Sequence, residues 1–186
     1  MFATAAAAAL RILAFRAGPQ DFPYSPRVTH ATAGLMLIVS FLQYQLTLPA
    51  VQAAVQAAAA TAAFAGLTWL LLSSRRLQNR ATQTIGSLFA TSALVALLLL
   101  PAFADLAPVM LRLAQDPQLA REETLPAGPL LGVLVLSAWN FAVTANIYRH
   151  ALDTSRLAGV AIALLAVLAT AVMSSAVSGI AAPAGS

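Results

Sequence analysis

Five stretches of this chain run for about twenty residues or more without one Asp, Glu, Lys or Arg: 28–48, 51–74, 81–104, 124–148 and 157–180. A helix needs roughly 20 mostly apolar residues to cross the ~30 Å hydrocarbon layer of a bilayer. None of the stretches alternates as a transmembrane strand does. Backbone groups in lipid must find their partners inside the segment, so each stretch reads as a helix. The expected fold is therefore all-α: a polytopic transmembrane bundle of five spans, at about 28–48, 51–74, 81–104, 128–148 and 157–180, preceded by an N-terminal interfacial helix.

Composition closes the other routes. Charged residues are 9% of the chain and hydrophobic ones 60%; a soluble domain carries roughly 25% charge, and a disordered one is poor in apolar residues. With no Cys there is no disulfide, thiolate nucleophile or cysteine-held metal. Pro49 suits a tight turn between the first two spans, and the links at 75–80 and 149–156 are short. The 105–127 link is the longest and holds Pro108, Pro117 and Pro126, with Leu106, Val109, Met110 and Leu113 forming one apolar stripe on a bent helix end or short surface helix. Residues 28–180 make one transmembrane domain, with 181–186 as a tail.

Arginine sets the orientation, because short cytoplasmic links collect it. Arg11, Arg16, Arg27, Arg75, Arg76, Arg80, Arg149 and Arg156 fall on the starting side of a five-span chain, and only Arg112 and Arg121 on the other. The N-terminus is expected in the cytoplasm and the C-terminus outside, in a bacterial inner membrane. A pI near 10.7 would suit nucleic acid, but topology already accounts for these arginines, so no nucleic-acid partner is expected.

Residues 1–27 divide into an Ala-rich helix with Arg11 and Arg16, and a Pro-rich entry. Their charges lie within and after the apolar run, unlike those of a signal peptide. An amphipathic helix on the cytoplasmic leaflet is expected, with its guanidinium groups among the headgroups.

Polar residues inside the spans are the site candidates. Asn140 lies near the middle of the fourth span, with Thr144 one turn along the same face. An amide at that depth serves either as glue between helices or as a ligand contact. Gln52 and Gln56 share a face beside Gln43 and Gln45, where they form an ordinary interfacial cluster or a polar vestibule. His30 and His150 sit at the cytoplasmic ends of the first and fourth spans. They read as solvated side chains, or as a haem-ligand pair. No glycine-rich phosphate loop, paired-His metal spacing or nucleophile elbow occurs. No enzymatic role and no cofactor are expected.

Small residues hold membrane helices together. The second span is densest in them, from Ala53 to Gly66, and is expected to be mostly surrounded by protein; Gly86 with Ala90, Gly159 with Ala163 and Ser174 with Ser178 repeat the pattern. Leu70–Leu72 and Leu97–Leu100 are expected to face lipid, so that Ala57→Leu loosens the bundle and Leu99→Ala does not. Residues 115–124 hold most of the outer acidic charge and read as a solvated loop or as the place of an outward partner contact.

The Arg-bearing N-terminal helix, the Phe22-Pro23-Tyr24-Ser25-Pro26 entry, and Trp139-Asn140 followed by Tyr148-Arg149-His150-Ala151-Leu152 resemble small bacterial membrane proteins with a Yip1-like domain. The resemblance implies a five-span, N-inside fold and no transferable catalytic residue; the Asp-Leu-Tyr-Gly-Pro-type and Gly-Tyr-type signatures of eukaryotic members do not occur. Three functions are compatible with these readings. The first is a scaffold or accessory subunit, with membrane lipids and other subunits or further copies as partners. The second is a carrier or channel component for a neutral or lipid-like substrate, and the third a haem- or pigment-associated electron-transfer subunit.

Overall fold

The computed structural model describes residues 1–116, 118 and 124–181, the side chains of 178–181 excepted. Six helices and no strand occur among them: α1 (Phe2–Leu13), α2 (Pro26–Gln45), α3 (Ala50–Ser74), α4 (Ala81–Gln115), α5 (Ala127–Ala151) and α6 (Arg156–Ala181). Single 3₁₀ turns, Pro19–Asp21 and Gln78–Arg80, precede α2 and α4. Four helical segments are long and apolar enough to cross a membrane: Ala50–Ser74, Gln78–Gln115, Ala127–Ala151 and Arg156–Val177. Of the five expected spans, α2 falls short of that hydropathy because His30, Gln43 and Gln45 dilute its 20 residues.

Side-chain bonds set the direction of each helix. Thr29 Oγ1 donates to Thr82 O at 3.1 Å and Gln43 Nε2 to Ala96 O at 2.9 Å, both 53 residues apart, so α2 and α4 run parallel and in register. Arg80 donating to Ala151 O makes α4 and α5 antiparallel. Gln56 donating to Ser174 O does the same for α3 and α6. The helices close a ring in the order α2, α4, α5, α6, α3. Arg27, Arg75, Arg80, Arg149 and Arg156 therefore gather at one end, and Asp105 and Arg112 lie towards the other.

The most enclosed helix is α4, not α3. Small and hydroxyl residues from Thr84 to Ala96 are buried, and Thr84, Ser87 and Thr91 return their hydroxyl protons to their own helix. On α3, Ala53, Ala57 and Ala60 are buried, but Ala54, Ala58, Ala62 and Gly66 form an exposed stripe. Alanine content marks a helix that can be approached closely, not the number of sides approached. Of the three expected small-residue pairs, Gly86, Ala90, Gly159 and Ala163 are all buried, whereas Ser174 is partly buried and the side chain of Ser178 lies outside those described. Leu70, Leu97 and Leu98 are exposed as expected, whereas Leu72 and Leu99 are buried, so Leu99→Ala is expected to cost stability.

Helix α4 continues through Pro101 and Pro108 for 35 residues instead of stopping near 104. Its far end is held by packing, since Leu106 and Val109 are buried and Leu106, Ala107 and Met110 border a groove with Leu46 and Thr47. Met110, placed on the same expected stripe, is exposed. The solvated loop or outward contact expected at 115–124 falls largely on residues outside those described.

Helix α1 owes its formation to its alanines, the strongest helix formers. It lays Ala5, Ala8, Ala9 and Ile12 against α4 and α5. Trp139 Nε1 donates to Leu13 O at 3.1 Å, and the Phe15 ring meets Trp139 edge-on at 5.3 Å. Its opposite side leaves Phe2, Leu10 and Arg11 exposed.

Candidate functional site: a cavity inside the helix ring

All five helices of the ring line one cavity of about 560 Å³, within the range of small-molecule sites. It occupies the half of the bundle remote from the arginines. Apolar walls come from Met36, Phe64, Val95, Leu99, Phe103, Phe141 and Ala166, and among the described residues no Asp, Glu, Arg or His lines it. Ser137, Val167 and Ala171, all exposed, form its rim between α5 and α6. These helices are in closest contact at their Arg-rich ends, where a Cβ added to Gly159 would lie 2.6 Å from Ala145 O.

The polar groups in the cavity differ from hydroxyls elsewhere in the bundle. Thr68, Thr84, Thr91 and Thr170 each donate to a carbonyl of their own helix. Thr144 makes no such bond, although its side chain is buried. Ser40 and Tyr44 are likewise without a hydrogen-bond partner among the described residues. Ser92 Oγ donates to Asn140 Oδ1 over a long 3.4 Å, and the amide's Nδ2 has no protein partner among the described residues. Polar groups without a protein partner among the described residues thus converge on one space.

Towards the Arg-rich end the cavity is stopped by packed side chains. Thr68 gives its proton to Phe64 O, so Tyr148 is the donor in the 2.8 Å bond between the two hydroxyls. Tyr148, Ile147, Val143, Leu72 and Leu88 are almost completely buried around that bond, and Phe64 packs on Phe89 with centroids 6.3 Å apart. This packed layer closes the space towards the Arg-rich end.

Asn140 and Thr144 both line the cavity. Gln52 and Gln56 do not: Gln56 is buried and links α3 to α6, Gln52 is partly buried on α3, and only Gln43 of the expected vestibule reaches the wall. His30 and His150 are exposed on α2 and α5, with α4 between these helices, so they are not brought together as a ligand pair. His150 Nδ1 instead meets Asn146 O at 2.8 Å. Among the described residues no three metal-ligating side chains cluster. Ser40, Tyr44 and Ser92 were not legible as site residues, since a hydroxyl in an apolar helix looks the same whether bonded to its own helix or aimed elsewhere. Comparison of the chain with family models, with curated proteins and with solved structures finds no match.

Proposed function

We propose that this chain is a non-enzymatic integral membrane protein that binds and carries a neutral, lipid-like molecule in the cavity of its helix ring. The observation that carries this reading is the convergence of Asn140, Thr144, Ser40 and Tyr44 on an apolar space lined by no Asp, Glu, Arg or His among the described residues. Such walls accept a long uncharged body, and the unpartnered amide and hydroxyls hold a carbonyl or hydroxyl group of the ligand. A rim between α5 and α6 favours entry from the bilayer. The sealed Arg-rich end favours a binding pocket over an open pore.

The same reading takes α2 as a fifth crossing. Its 20 residues match ~30 Å at 1.5 Å per residue, and its register with α4 puts it beside a helix of crossing length. With the arginines cytoplasmic, the N-terminus is inside and the cavity lies in the outer half. The Yip1-like resemblance agrees with this architecture and supplies no site residue. On α1, the exposed Phe2, Leu10 and Arg11 suit contact with the cytoplasmic leaflet.

Binding of a fluorescent diacylglycerol to the full chain in phosphatidylcholine nanodiscs tests the proposal. Asn140→Leu and Ser40→Phe should each weaken it about tenfold, because a polar partner or the space itself is lost. Unchanged binding and unchanged liposome flux of the probe in both variants would remove the proposal. A second reading, a scaffold subunit in a larger assembly or a homo-oligomer, draws on the exposed Ala54, Ala58, Ala62 and Gly66 stripe, whose spacing suits close helix approach. Under that reading Ala58→Leu alters the size of the complex extracted in mild detergent and leaves probe binding intact.

A further inference from the structure

A second concave site lies at the opposite end of the molecule, where the 3₁₀ turn Pro19–Asp21, the start of α4 and the end of α5 meet. This groove of about 420 Å³ is lined by Arg80, Gln83, Arg149, His150, Asp153 and Thr154, among others. Its charge is unbalanced. Arg80 and Arg149 make no ion pair among the described residues, and neither does Asp153. One guanidinium nitrogen of Arg80 donates to Ala151 O at 3.1 Å, which holds the group at the edge of the groove. Gln83 is engaged with the carbonyls of Gln20 and Phe22 and is not available to a ligand. On His150, Nδ1 donates to the Asn146 carbonyl, leaving Nε2 unengaged. Thr154 Oγ1 is buried, with no hydrogen-bond partner among the described residues.

We propose that this groove is a phosphate site, taking a phosphodiester or free phosphate between Arg80 and Arg149 with the Thr154 hydroxyl as a further donor. Guanidinium groups match phosphate oxygens in pairs. Two guanidiniums against one carboxylate leave a net positive groove for a single anionic group. In a membrane with the arginines cytoplasmic, the groove lies at headgroup depth, where basic pockets between helices take anionic lipids. The site is independent of the cavity, since the packed layer around Tyr148 separates them.

Native mass spectrometry of the full chain in neutral detergent, with phosphatidylglycerol or phosphatidylcholine added, tests the assignment. Phosphatidylglycerol should be retained over phosphatidylcholine. Arg149→Gln should lower its retention about tenfold, the size of one lost charge-assisted bond, and Thr154→Val should lower it less. Arg75→Gln, an exposed arginine at the same end but outside the groove, should change nothing. Displacement of the lipid by millimolar inorganic phosphate, with a raised melting temperature, identifies a free anion as the ligand; persistence of the lipid identifies a headgroup. Both results support the site. Equal retention by the wild type, Arg149→Gln and Thr154→Val overturns it, as does equal loss in Arg75→Gln. If Arg149→Gln fails to fold, Thr154→Val decides.

Discussion

At the residue scale, the clearest consequences come from atoms with no room to yield. A Cβ on Gly159 would meet the Ala145 carbonyl at 2.6 Å and Arg149 Cβ at 3.0 Å, whereas one on Gly132 meets nothing within 4 Å. Gly159→Ala should therefore cost about 1–3 kcal/mol by forcing α5 and α6 apart, while Gly132→Ala is neutral or slightly stabilising; thermal unfolding in detergent separates the two. The Tyr148–Thr68 bond makes a sharper prediction. Tyr148→Phe removes a donor and leaves Thr68 still bonded to Phe64 O, at a cost of about 0.6 kcal/mol. Thr68→Val leaves a buried phenol without an acceptor and should cost about 1–3 kcal/mol. Equal costs would refute the assigned direction of the bond. Asn140 was legible as a residue that needs a partner. Thr144 was legible only as its neighbour, because nothing in a sequence distinguishes a threonine bonded to its own helix from one that is not.

At the element scale, α1, α3 and α5 end alike. Phe15, Arg76 and Asp153 take left-handed φ values of 57°, 59° and 51°. The residue after each donates back to the last helical turn, Arg16 N to Arg11 O, Leu77 N to Leu72 O and Thr154 N to Arg149 O, which satisfies carbonyls the helix leaves open. None is glycine, so each carries a strain of about 1–2 kcal/mol. Arg76→Gly should raise stability by about 1 kcal/mol in the same melting assay. Phe15→Gly should gain less or lose, since it also removes the ring packed on Trp139. The ends of α3 and α5 were readable to within a few residues from their arginines. The end of α4 was not: two prolines argue locally for a stop, and packing of Leu106 and Val109 carries the helix past them.

At the scale of the whole molecule, helix direction and membrane orientation can be tested together, because the chain has no native cysteine. Under the five-crossing proposal, Thr47→Cys reacts with an impermeant maleimide from outside intact cells, and Arg75→Cys and Asp153→Cys react only after permeabilisation. If Thr47 and Arg75 report from the same side, α3 does not cross and the proposed topology fails. Helices α5 and α6 meet closely at Gly159, and all five helices of the ring contribute walls to the space. Such a gap needs five partners at once, so no single helix displays it.

The sequence alone determined that the chain is helical, that most of its long helices are apolar enough to cross a membrane, and that most of its guanidinium groups collect at one end. Each follows from local quantities: run length, hydropathy and the position of charge along the chain. Which face of each helix is enclosed, and where five walls leave a gap, was decided only by tertiary packing. Small side chains permit close approach on any side, and the partner actually met selects which side is buried.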